Sequence, residues 1–230
     1  MVRAVLFDID NTLYSYDDAH AAAYGALREY ARAALSLTPE RFDALHREGD
    51  LRLRAHTGGP CAAIHNRLIR YQLMLEIADL PMRHAPAMAD LYWTALIGAM
   101  RPFPGVARAL ARLKAMGLKL GIGTNMTADR QFMKLQKLGL LETVDFMVTS
   151  EEVSAEKPDR RLFDICAQKA GCPPGACVFV GDSLKGDVLG ALNAGMRAVW
   201  FNPAGDAPAP AGALKLNDFD ELPGLVASLQ

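Results

Sequence analysis

The sequence predicts an α/β protein: a doubly wound parallel sheet with an all-α helical bundle inserted near its start. Three observations carry that prediction. From residue 101 onward, short apolar runs alternate with stretches of helical periodicity, the pattern of parallel strands joined by right-handed helical crossovers. One further apolar run, Ala4 to Phe7, stands apart at the N-terminus and stops abruptly at acids. Between them, from about Asp17 to Met100, the chain is rich in Ala, Leu and Arg and has few β-branched runs. The simplest geometry places residues 1–14 and 101–230 in a sheet unit and 15–100 in a helical one.

The elements follow in order. Ala4 to Phe7 reads as a buried strand. In the helical stretch, Tyr24, Leu27, Tyr30 and Ala31 recur at helical spacing. Thr38-Pro39 has the form of an N-cap followed by Pro at the first helical position. Gly58-Gly59-Pro60 is a break. Ile64, Leu68, Tyr71 and Leu75 form another helical face, and Met88, Leu91, Tyr92 and Ala95 a fourth. About four helices are expected. Beyond residue 101, Val106, Leu110, Leu113 and Met116 fit a helix stopped by Gly117. Leu118 to Gly123 reads as a strand. Phe132, Leu135 and Leu138 line a helix ending at Gly139, and Phe146 to Val148 is a strand. Leu162, Phe163, Ile165 and Cys166 lie on a helix ending at Gly171, and Cys177 to Val180 is a strand. Val188, Leu189 and Leu192 lie on a helix ending at Gly195, and Ala198 to Phe201 is a strand. Pro203 to Pro210 reads as an irregular loop, and a last helix covers about Glu221 to Leu229.

Composition narrows the function. With 51% hydrophobic and 22% charged residues, the 230-residue chain is an ordinary globular protein. Its size allows about 70% of the surface to leave water on folding, without staples. Twenty-five basic and twenty-six acidic residues leave a net charge of −1, so no overall basic field attracts nucleic acid or an anionic membrane. Cys61, Cys166, Cys172 and Cys177 form no CxxC pair, which excludes a zinc ribbon and a disulfide framework. Reduced thiols fit a cytoplasmic location. No apolar leader precedes Asp8, and no run of 18 apolar residues occurs. The five histidines all lie in the helical stretch, and none has HxxxH spacing. Tyr14, Tyr16, Tyr92 and Trp93 read as packing at the junction between the two textures rather than as stacking platforms.

Ligands of open parallel sheets bind beyond the carboxyl ends of the strands, so the residues that follow each strand matter most. The first strand runs into Asp8-Ile9-Asp10-Asn11-Thr12, the second into Thr124-Asn125. The third runs into Thr149-Ser150-Glu151 with Lys157-Pro158 shortly after, and the fourth into Gly181-Asp182-Ser183 with Asp187 five residues past Asp182. Each cluster alone is unremarkable, as a solvated loop or a helix cap. At successive ends of one sheet they converge. Several carboxylates in one place repel, so one is protonated or a cation binds. All-oxygen donors suit Mg²⁺. A lysine, hydroxyls and N–H donors suit phosphoryl oxygens. Two acids two residues apart can serve as nucleophile and general acid/base. The set points to metal-assisted phosphoryl transfer.

Asp8-Ile9-Asp10-Asn11-Thr12-Leu13, Thr124-Asn125, Lys157-Pro158-Asp159 and Gly181-Asp182-Ser183 with Asp187 resemble, in order and spacing, the four motifs of the haloacid dehalogenase superfamily. Phe7 and Asn193-Ala194-Gly195-Met196 fit the same pattern. The resemblance covers residues 1–14 and 101–202. It implies a Rossmann-like core, with residues 15–100 as an inserted helical cap. It implies Asp8 as the nucleophile that forms an aspartyl-phosphate and Asp10 as the acid/base. It implies Thr124 and Asn125 as phosphate ligands and Lys157 as the cation that orients Asp8 and the phosphate. Mg²⁺ would be held by Asp8, Asp182 and the Asp10 carbonyl, with Asp187 nearby or acting through water. The implied activity is a Mg²⁺-dependent phosphatase for small monoesters: sugar phosphates, phosphoglycolate or nucleoside monophosphates. Two positions depart from the pattern, Met126 and Ser154, where Gly is frequent. A 2-haloacid dehalogenase needs no second acid, and Asp10 is present. Sugar phosphomutases of the family usually carry Gly where Asn11 stands. A nucleotide-cofactor oxidoreductase would need a glycine fingerprint after the first strand, and residues 8–12 contain none.

Overall fold

The computed structural model describes residues 1–203 and 205–230. The chain divides into two compact units, Tyr16–Met100 on its own and Met1–Ser15 together with Arg101–Gln230.

The first unit is helical: α1 (Tyr16–Leu35), α2 (Pro39–Thr57), α3 (Arg67–Ile77) and α4 (His84–Ala99). Ala19, Ala23, Leu27 and Ala31 recur every fourth residue of α1 and are buried, and these mostly small side chains let α1 lie against α4. Thr38 caps α2 as expected, its Oγ1 accepting from the Arg41 N–H at 3.2 Å, and Gly58 ends the helix at φ 70°. Ile64, Tyr71 and Leu75 are buried as expected, but Leu68 is 45 % exposed, and Arg67, Arg70 and Met74 join the buried face of α3 in its place. Arginine stems are long enough to count as apolar, and Arg70 pairs with Asp50 while Arg67 bonds the hydroxyls of Tyr16 and Tyr92.

The second unit is built on six parallel strands: β1 (Ala4–Phe7), β2 (Lys119–Thr124), β3 (Phe146–Thr149), β4 (Cys177–Gly181), β5 (Arg197–Phe201) and β6 (Ala213–Leu216). Their order is β3-β2-β1-β4-β5-β6. The chain builds outward from β1 to one side and then returns to build outward on the other, so the switch point lies between β1 and β4. Every β1 residue is fully buried, the state that a continuous apolar run predicts for a central parallel strand. The crossovers are α5 (Val106–Ala115), α6 (Ala128–Lys137), α7 (Ser150–Val153), α8 (Arg160–Ala170) and α9 (Leu189–Asn193), with α10 (Leu222–Ser228) last. A core of Leu6, Val148, Leu162, Phe163, Cys166, Phe179, Val188 and Ala198 fills the layer under α8 and α9.

Four expectations for this unit need correction. Met116 does not lie on the buried face of α5; it follows the helix end and is 41 % exposed. Leu135 is buried as expected, but Phe132 does not line the buried face of α6; it is 50 % exposed, and Gln131 and Lys134 face inward instead. The helix expected from Val188 begins with a π-helical turn, Leu184–Val188, where the Val188 N–H reaches back to Ser183 O, and Leu189 is largely exposed. β6 was not expected at all. Its sequence, Ala-Leu-Lys-Leu, has its apolar run broken by Lys215, and pairing with β5 at the sheet edge stabilises it. In the predicted loop Pro203 to Pro210, residue 204 lies outside the described residues, and the others carry no regular element.

Candidate active site

The site is assembled at the carboxyl ends of β1, β2 and β4. Asp8 follows β1 directly, and its N–H bonds to Val180 O at 3.0 Å, which continues the ladder one residue beyond the strand. Its carboxylate accepts from Lys157 Nζ at 2.5 Å. The same ammonium lies 2.7 Å from Asp187 Oδ1, so one nearly buried lysine bridges two acids from distant parts of the chain. Asp187 reaches this place because the π turn swings it back toward β4. Its Oδ2 accepts from the Ser183 N–H at 3.0 Å. Gly181 leaves it room, since a methyl there would fall inside the contact radius of the Asp187 carboxyl. Asp182 is held by Thr12, whose hydroxyl donates to Asp182 Oδ1 and accepts from the Asp182 N–H, each at 3.1 Å, and by Trp200 Nε1, which donates to Asp182 O at 2.8 Å.

Electrostatics match the crowding. Burial pushes the Asp8 carboxyl up to about 7; Lys157 opposes the rise, while Asp187, Asp10 and Asp182 add to it. Asp182 rises to about 6, through burial first and then Asp187. Oxygens of Asp8, Asp182 and Asp187 lie within 4.8 Å of one another, the sole such group of three among the described residues. Crowded, mutually repelling oxygens, those of Asp8 and Asp187 buried and that of Asp182 partly so, with one lysine beside them are a donor set that a hard divalent cation fits, and Mg²⁺ suits it through carboxylates plus retained water.

Thr124 ends β2 and is buried; its Oγ1 accepts from Gln131 Nε2 at 2.8 Å, and Gln131 also donates to Asn125 O at 2.9 Å. Asn125 Oδ1 accepts from the Lys157 N–H at 2.9 Å, tying the β2 loop to the lysine loop. Met126 and Ser154, the two departures from the resemblance, both adopt positive φ, 111° and 52°. The loops therefore keep a backbone that favours glycine, and Ser150 Oγ holds the Met126 N–H at 2.8 Å.

Asp10 faces a different set. Lys134 Nζ lies 2.7 Å from both of its carboxylate oxygens, and the Tyr14 hydroxyl donates to Oδ1 at 2.5 Å. Burial alone would raise the Asp10 pKa; the Lys134 charge, with hydrogen bonds from Lys134, Tyr14 and Gln131, outweighs it and holds the carboxyl below its ordinary value. Sequence reasoning missed Lys134 and Gln131 and read Tyr14 as packing. The available signal was a lysine three residues after Gln131 and just before Leu135, in the stripe of α6 that the sheet buries. Among the described residues no helix is long and apolar enough to cross a membrane.

The chain is similar to known proteins in family, sequence and fold. The family model for haloacid dehalogenase-like hydrolases matches residues 2–195. A ribulose-1,5-bisphosphate 5-phosphatase of Halopiger xanaduensis is 34% identical over 93% of this chain and 90% of its own length. A glyceraldehyde 3-phosphate phosphatase of Methanothermobacter thermautotrophicus is 36% identical over 88% of this chain and 86% of its own. The crystal structure of a HAD phosphatase from Thermococcus onnurineus superposes with a TM-score of 0.74 at 27% identity, covering 98% of each chain.

Proposed function

This chain belongs to the haloacid dehalogenase-like hydrolase family, and we propose that it is a Mg²⁺-dependent phosphatase of small phosphorylated sugars, acting through an aspartyl-phosphate on Asp8. The observation that carries the reading is the convergence of Asp8, Lys157, Asp182 and Asp187 beyond the switch point of the sheet, with Asp10, two residues past Asp8 and paired with Lys134, as a second acid. The relatives named for sugar phosphates support the substrate class.

In this reading Lys157 orients the Asp8 carboxylate and meets a phosphoryl oxygen, and the Thr124 hydroxyl and the Asn125 N–H hold the others. Asp8, Asp182 and Asp187, with the Asp10 carbonyl, would hold Mg²⁺, whose charge would offset that of the phosphate and favour the ionised form of Asp8 against its burial. An Asp8 oxygen attacks phosphorus, the bond from phosphorus to the sugar oxygen breaks, and Asp10 gives that oxygen a proton. The incoming phosphate adds negative charge near Asp10 and raises its proton affinity, so a carboxylate that is ionised in the free enzyme can carry that proton. Asp10, ionised again, takes a proton from water as the water attacks the phosphoenzyme, and Asp8 is released. The helical unit, Tyr16–Met100, would serve as a cap that excludes water during transfer.

The test is phosphate release from glyceraldehyde 3-phosphate, ribulose 1,5-bisphosphate and p-nitrophenyl phosphate. Activity should vanish with EDTA and return with Mg²⁺. Full turnover by metal-free protein, or chloride release from 2-chloropropionate in place of phosphatase activity, would overturn the assignment.

A further inference from the structure

We propose that Lys134, assisted by Tyr14, is the positioning residue for the Asp10 carboxylate, an inference that rests on the phosphatase reading above. The Lys134 side chain is 0 % exposed, and its ammonium donates to both oxygens of a single carboxylate. A one-point contact would leave that carboxylate free to rotate, whereas two bonds from Lys134 and one from the Tyr14 hydroxyl fix its plane. Met126 Sδ, 3.7 Å from Nζ, closes the lysine from the other side, which gives the methionine in the glycine-favouring position a role.

Two plainer explanations fail on the same geometry. Packing alone would favour Leu or Met in the buried stripe of α6, because a buried ammonium costs several kcal/mol unless it is paired. Solvation of Asp10 does not require the lysine either, since the Asp10 side chain keeps 25 % of its exposure. What Lys134 supplies, with Tyr14, is a fixed direction. The helix that supplies it also carries Gln131, which clasps Thr124 Oγ1 and Asn125 O, so one rigid element sets both the phosphate-side loop and the acid/base carboxylate. Lys134 itself makes and breaks no covalent bond and transfers no proton. The proton that reaches the leaving oxygen comes from Asp10 as the phosphorus–oxygen bond breaks.

The experiment compares kcat/KM of the Mg²⁺-loaded enzyme for two leaving groups. p-Nitrophenolate departs without a proton; the alkoxide of glyceraldehyde 3-phosphate needs one. Lys134→Met should lower kcat/KM for the sugar phosphate on the order of 100-fold and for the aryl phosphate by less than about 5-fold, the signature of a misplaced general acid. Tyr14→Phe, which removes one hydroxyl and keeps the ring, should move the same ratio in the same direction by about 5- to 10-fold, and it decides the matter if Lys134→Met does not fold. Equal losses on both substrates, or none, would overturn the positioning role while leaving the phosphatase reading intact. A wild-type enzyme that turns over neither substrate would overturn that reading, and this inference with it.

Discussion

Lys157 sits between Asp8 and Asp187 with both ion pairs nearly dry, so loss of the lysine leaves two buried carboxylates without their shared cation. Asp8→Asn should abolish turnover, because an amide is not a competent nucleophile toward phosphorus; steady-state phosphate release checks this. Asp10→Asn should retain substrate binding and lose about 100-fold or more in turnover. Gly181 is constrained as tightly as the acids. In Gly181→Ala the new methyl must displace the Asp187 carboxyl, with an expected loss of about 1–3 kcal/mol of stability and weaker Mg²⁺ binding, read by thermal unfolding and calorimetry.

Within the helical unit, α2 and α3 approach closely at Gly49, where a side chain would press on Arg70 O and Met74. Near it lies His46, buried among Tyr24, Phe42 and Tyr71, with its Nε2 lacking a partner. Burial, then the charges of Arg70 and Arg67, push the imidazole down to about 4. The unfolded chain therefore binds the proton more readily than the folded one between that value and the ordinary one near 6.5. Stability from this residue is fully present above pH 6.5 and is lost as pH falls toward 4. Wild type should lose about 2 kcal/mol from this residue between pH 7.5 and pH 5. His46→Phe should unfold in urea with a correspondingly shallower pH dependence, and an identical dependence in both proteins would show that His46 is not the group responsible.

For the molecule as a whole, the chain crosses between its two units only twice, at Ser15 to Tyr16 and at Met100 to Arg101, and the sheet unit has a core of its own. Replacing residues 16–100 with a short linker should leave a folded sheet unit that still binds Mg²⁺ by calorimetry but turns over a different set of phosphates. An unchanged substrate profile would place specificity in the loops of the sheet unit instead.

The sequence by itself determined the fold class, the buried strand at Ala4 to Phe7 and the acids that follow the strand ends. Central parallel strands are buried on both faces and so read as unbroken apolar runs, and the residues at their ends share one rim by topology alone. Tertiary structure decided what a periodicity cannot carry. Phe132 and Leu68 are apolar yet exposed, while Lys134, Gln131 and Arg67 are polar yet buried, because the face a helix buries is set by what lies across from it. The pairing of Lys134 with Asp10, 124 residues apart in the chain, exists only once α6 has docked on the sheet. β6 likewise becomes a strand only through the hydrogen bonds that β5 offers it. A side chain's intrinsic polarity is local and legible, whereas the partner that offsets its burial is supplied by distant segments and is decided only by packing.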